Sequence, residues 1–151
     1  MGKFIELTAA DGHKLAAYVA QPSGKARGGV VVIPEVFGVN SHIQQTTDGF
    51  DADGYLAVSP AMFDRAQRNY DTGYSAPEIE AGRAIMQKLD WKHAMLDVEA
   101  AIGEAKKGGK VGIVGYCYGG TVTWLAAGRA SGLACAVPYY GGGMHGFINE
   151  K

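Results

Sequence analysis

The six residues Gly115-Tyr116-Cys117-Tyr118-Gly119-Gly120 set a thiol between a buried-looking strand, KVGIVG, and a helix-like stretch, TVTWLAAGRA. Glycines two positions before and after Cys117 fit the strand–turn–helix form G-x-S-x-G, with Cys in the Ser position. Such a turn strains the backbone at the nucleophile, and small neighbours let strand and helix approach closely enough to hold the strain. At a helix N-terminus the positive end of the macrodipole favours thiolate, the reactive form of the side chain. The backbone N–H of Tyr118 would then point where an oxyanion develops. The alternative is an inert buried thiol, a common fate of a lone cysteine. A nucleotide site, the other use of a glycine-rich turn after a strand, fails on spacing: the turn is not G-x-G-x-x-G, and no G-x-x-x-x-G-K-[ST] occurs.

The next candidate is Glu35, in IPEVFGVN directly after the run GVVVIP. In an open α/β sheet, functional groups gather at the carboxyl ends of the strands, where both Glu35 and Cys117 fall. A carboxylate there could accept the thiol proton, and the N–H of Val36 could be a second oxyanion donor. A surface Glu in a loop is the competing account. Of the four histidines, His13, His42 and His93 read as solvated, whereas His145 lies just past the last strand in an HGF string. Arg83 could bind an acidic substrate or be a solvated helix charge.

These residues need a frame, and the rest of the chain supplies it. Phe4 to Thr8 and Leu15 to Ala20, around Asp11-Gly12, predict an antiparallel hairpin. Gly29 to Pro34 is an unbroken β-branched run of the kind buried on both faces of a parallel sheet. Asn40 through Asp53 reads as a crossover helix capped by Asn40 or Ser41 and stopped by Gly54. Tyr55 to Ser59 is the next strand. Ala61 to Pro77 has neither period and reads as a long excursion over the sheet edge, of the kind that often lines a site. Helices follow from Pro77 to Leu89 and from Trp91 to about Lys107, then strands at Lys110 to Gly115 and Cys135 to Tyr140. Alternating strand and helix gives an α/β fold, mostly parallel, with an N-terminal antiparallel hairpin. No repeat or linker divides the 151 residues, so one domain is expected. For this mass, area scaling gives roughly two-thirds of the surface buried on folding.

Composition narrows the partners. Lys and Arg number 14 against 15 Asp and Glu, a net charge of −1, which argues against a nucleic-acid or anionic-membrane surface. Apolar residues make up 47%, a globular composition. Cys117 and Cys135 lack CxxC spacing or clustered His, so neither a metal nor another cofactor is expected, and a reducing, cytoplasmic setting is the simplest reading. The N-terminus has no apolar leader run, and no apolar span reaches the length of a membrane helix.

The strings IPEVFGVN, YLAVSP, LDVEAAI, KVGIVGYCYGG and AVPYYGGG, in this order, resemble the dienelactone hydrolase family of α/β-hydrolases over Asp11 to Gly143. The resemblance implies opening of a lactone or ester through an acyl-enzyme. Carried over position by position, it implies Cys117 as nucleophile, Glu35 as the carboxylate that tunes the thiol, and Tyr118 and Val36 as oxyanion amides. It further implies an Asp and a His well beyond the YYG segment, neither of which has a counterpart here. His145 follows YYGGG with no intervening strand, so the resemblance does not extend to it. Of the arginines the family uses to bind substrate, Arg83 stands near one but is displaced along the helix. The chain is therefore expected to lack the C-terminal strands of such a fold and to be impaired as a hydrolase. The alternative function is a non-catalytic module that forms homo-oligomers through the sheet edge left at CAVPYY.

Overall fold

The computed structural model describes residues 1–148. Its elements are β1 (Lys3–Thr8), β2 (Lys14–Ala20), β3 (Gly29–Ile33), α1 (Ser41–Ala52), β4 (Leu56–Pro60), α2 (Ala76–Met86), α3 (Trp91–Ala105), β5 (Val111–Tyr116), α4 (Tyr118–Arg129) and β6 (Leu133–Tyr139). The strands form one sheet in the order β1-β2-β4-β3-β5-β6. β1 and β2 pair antiparallel across the Asp11-Gly12 turn, β2 runs antiparallel to β4, and β4, β3, β5 and β6 are parallel. The hairpin and the parallel core stand as the sequence predicts.

Period-two alternation decides what each face carries. Val31 and Ile33 of β3, Val111 and Ile113 of β5 and Leu15, Ala17 and Val19 of β2 join Val98 and Ala101 of α3 and Val122 and Leu125 of α4 in the main core. Tyr18, of opposite parity, instead meets Ile43 of α1 and Val39, just before that helix, in a separate cluster on the other face. α1 begins where Asn40 accepts a hydrogen bond from the Ile43 N–H, and Gly54, at φ 90°, follows its end. At α3 the Asp90 carboxylate caps the His93 N–H in the same way.

Several elements differ from the sequence reading. β6 starts at Leu133, two residues before Cys135, because a register shift beside Val111 and Gly112 absorbs an extra residue. α4 begins at Tyr118, directly after Cys117, three residues before the run TVTWLAAGRA. The segment after β4 is anchored in the main core at its start, where Met62 and Phe63 are buried, and then runs exposed through residues 66–69. Arg65 ties it down: its guanidinium grips the buried Asp97 carboxylate of α3 through Nε and Nη2 at 2.8 and 2.7 Å, and reaches Asp11 in the hairpin turn at 2.8 Å. Burial pushes the Asp97 carboxyl up, and Arg65 partly offsets that shift.

Candidate active site

Cys117 has φ 54° and ψ −117°, a conformation rare for a side-chain-bearing residue, at the junction of β5 and α4. The flanking glycines show what holds it there. A Cβ on Gly115 would collide with the Gly119 carbonyl, and one on Gly119 would collide with the Ile33 carbonyl and lie 2.7 Å from that of Pro34. Strand, elbow and helix therefore touch backbone to backbone. The Cys117 carbonyl accepts the N–H groups of Gly120 and Thr121 at 2.9 and 3.2 Å, starting the helix, while its N–H donates to the Tyr139 carbonyl at 3.1 Å. As the first helical residue, Tyr118 has no intrahelical partner for its N–H. Among the described residues, neither the Tyr118 nor the Val36 N–H donates a hydrogen bond.

The segment carrying Glu35 and Val36 leaves the end of β3 and is clamped from outside. The Thr72 N–H donates to the Phe37 carbonyl at 3.1 Å. Asn40 Nδ2 donates to the Thr72 carbonyl at 3.2 Å. α2 lies against the same segment so closely that a Cβ on Gly82 would strike the Val36 carbonyl. Its first turn is fixed by Glu78, which accepts from the Ser75 hydroxyl and from the Ser75 and Gly73 N–H groups; these bonds hold its carboxyl down at about 2.

Between these walls lies a cavity of about 660 Å³ that Cys117, Glu35, Val36 and Tyr118 all line. Ile79, Met86, Leu89 and Trp91 make it largely apolar, and Arg83, Thr121 and Tyr140 add polar groups. Trp91 stacks on the Tyr118 ring at 5.9 Å, and burial pushes the Tyr118 phenol well above its ordinary range. The Tyr140 hydroxyl donates to Glu35 Oε1 at 3.3 Å.

The structure thus brings Cys117, Glu35, Val36 and Tyr118 to one cleft. Arg83, read as a solvated charge or an acid binder, lines the same cleft. The long segment after β4 buttresses the site, but α2, not that segment, forms the wall. His145 lies in a 3₁₀ turn, Met144–Phe147, is exposed, and does not line the cavity. His93 pairs with Asp90 in the cap of α3. His13 departs from the solvated reading, because its Nε2 is buried. Tyr140 and Trp91 were not singled out by the sequence; the doubled tyrosine of AVPYYGGG was the available signal for the first. Among the described residues no cluster of three His, Cys, Asp or Glu side chains could hold a metal, and no helix is long and apolar enough to cross a membrane.

A mixed sheet opened by an antiparallel hairpin, with a strained strand–turn–helix junction at Cys117 after β5, defines an α/β-hydrolase fold. Residues 15–151 match the model of the dienelactone hydrolase family, and the chain belongs to that family. It is 36% identical over 137 residues to a Synechocystis sp. protein assigned as a carboxymethylenebutenolidase, covering 87% of this chain and 55% of the relative. Identity is 33% over 145 residues to the carboxymethylenebutenolidase of Pseudomonas putida, covering 93% of this chain and 61% of the relative. A crystal structure from Klebsiella pneumoniae subsp. pneumoniae, assigned as a dienelactone hydrolase, superposes with a TM-score of 0.76 at 27% identity, over 93% of this chain and 60% of that one. The chain spans between 55% and 61% of the length of these two curated relatives.

Proposed function

We propose that this chain carries the nucleophilic half of a hydrolase that opens a lactone or simple ester. Cys117 sulfur attacks the carbonyl carbon, Glu35 takes up the thiol proton, and the Tyr118 and Val36 amides receive the oxyanion. Collapse expels the alkoxide, which takes the proton held by Glu35 to leave as the alcohol, and leaves a thioester on Cys117. Water then releases the acid and restores the thiol. The observation that carries this reading is the left-handed Cys117 at the β5–α4 junction, facing a cavity beside two amides with no other partner. Arg83 on the cavity wall suits a substrate with a carboxylate, and the names of the curated relatives favour a butenolide lactone. Two free cysteines accord with a reducing, cytoplasmic setting.

Among the described residues no histidine lines the cavity, so the thioester is expected to form faster than it hydrolyses. Mixed with p-nitrophenyl acetate, the chain should release a burst of nitrophenolate approaching one equivalent, followed by slow turnover, with an acetyl group on Cys117. Steady turnover that survives in Cys117→Ser would overturn the mechanism.

A second reading, association without catalysis, has its own support. β6 ends the sheet order with Val137 and Tyr139 exposed, an open edge of the kind that pairs with another copy. Elution as a monomer at high concentration would count against it.

A further inference from the structure

Tyr140 is a polar cavity residue whose backbone conformation the elbow at Cys117 does not by itself explain. It has φ 38°, a left-handed conformation unfavourable for a bulky aromatic side chain, and glycines follow immediately that would adopt it freely. The strain is imposed by firm support on both sides. The Tyr139 carbonyl accepts from the Cys117 N–H at 3.1 Å, and the Gly142 carbonyl accepts from Thr121 Oγ1 at 2.8 Å, so the turn between them is anchored to the start of α4. Gly120 and Gly141 pack backbone to backbone beneath it. The outcome is a phenol on the cavity wall whose hydroxyl donates to Glu35 Oε1 at 3.3 Å, although the residues stand 105 positions apart.

We propose that Tyr140 is a positioning residue for Glu35: the elbow-anchored turn holds its hydroxyl on one carboxylate oxygen and so fixes the carboxylate on the wall of the cavity that Cys117 also lines. The role rests on the reading of Cys117 and Glu35 given above. Burial and the neighbouring Glu35 charge, with a smaller contribution from Cys117, push the Tyr140 phenol up to about 12, so it stays protonated and remains a donor across the working pH range. Strain kept at a residue that touches the reacting groups is the pattern expected when a backbone conformation serves function. Around the cavity, among the described residues, the titratable side chains are Glu35, Arg83, Cys117, Tyr118 and Tyr140, so no other acid competes with Glu35 for the hydroxyl.

The test is the rate of Cys117 carbamidomethylation by iodoacetamide, read by peptide mass, in the full chain and in Tyr140→Phe, Glu35→Gln and the double variant. Loss of one hydrogen bond to a charged group at a half-open site should slow Tyr140→Phe by about threefold or more. In the Glu35→Gln background the same substitution should have no further effect, and the pH profile of the rate should change its midpoint in both single variants alike. Tyr139→Phe, whose ring stacks on Tyr116 outside this cavity, should alkylate at the parent rate with the same thermal midpoint. An unchanged or faster rate in Tyr140→Phe, or equal slowing with and without Glu35, would overturn the assignment while leaving the Cys117 and Glu35 mechanism intact. A parent chain in which Glu35→Gln changes nothing would overturn that mechanism and the role of Tyr140 with it.

Discussion

Substituting Gly119 by Ala separates backbone contact at the elbow from ordinary helix propensity. A methyl group there would run into the Ile33 carbonyl and sit 2.7 Å from that of Pro34, against a comfortable carbon–oxygen separation of roughly 3.5 Å. Relief requires α4 to retreat from the end of β3 by roughly 1 Å, because a backbone carbonyl in a parallel strand cannot rotate away. Overpacking of this kind costs about 3 kcal/mol, only partly offset by the better helix propensity of Ala. Gly128 lies in the same helix with nothing within 4 Å of a Cβ, so Gly128→Ala should stabilise by about 0.8 kcal/mol. The propensity gain is common to both variants, so they should differ by about the 3 kcal/mol of the clash alone, which for a chain of this size is a gap in thermal midpoint on the order of 10 °C. Calorimetry or circular dichroism melts measure it directly. Gly119→Ala should also react more slowly at Cys117, since the retreat moves the elbow. If both variants melted within about 2 °C of the parent, the close approach of β3 and α4 would not be what holds the elbow.

Cys117→Gly removes the strain of a side chain at φ 54° and should raise stability by about 1 kcal/mol while abolishing acylation, so that function and stability move in opposite directions. Arg65→Met leaves the buried Asp97 carboxylate without its partner and should cost about 3 kcal/mol in urea unfolding, most of it regained in the double variant Arg65→Met/Asp97→Leu. Acid should weaken the fold. Arg65 holds Asp11 at about 2, and the Ser75 hydroxyl holds Glu78 at about 2, both below their ordinary values. Their contribution is complete above the unfolded values and is lost as pH falls from about 4 toward 2. Asp97, shifted upward by burial, works in the opposite sense. Urea midpoints across this range should fall less steeply in Glu78→Gln than in the parent.

How much of this was legible in the sequence follows from the range of the interactions. Local signals carried the hairpin at Asp11-Gly12, the Asn40 cap, the helix stop at Gly54 and the elbow glycines, because each acts within a few residues. The Arg65 clasp on Asp97 joins residues 32 positions apart, and nothing local marks either as buried. For the same reason the sequence did not show that the excursion after β4 is anchored in the core at Met62 and Phe63. Arg83 shows the limit of periodicity: it is exposed on its helix, and only the docking of Gly82 onto Val36 brings that helix to the cavity that Cys117 also lines. Tyr140 escaped notice because its role depends on a backbone conformation and on Glu35, which the chain reaches only after folding.

The most direct test of the elbow as a reactive centre sets the two thiols against each other. Cys135 is exposed on β6, whereas Cys117 is only partly accessible, so access alone would make Cys135 the faster to react. A short pulse of substoichiometric iodoacetamide on the native chain, followed by peptide mass mapping, should label Cys117 well ahead of Cys135, and unfolding in urea should erase the preference. Labelling that follows exposure, with Cys135 first in the folded chain, would contradict the assignment of Cys117 as the nucleophile.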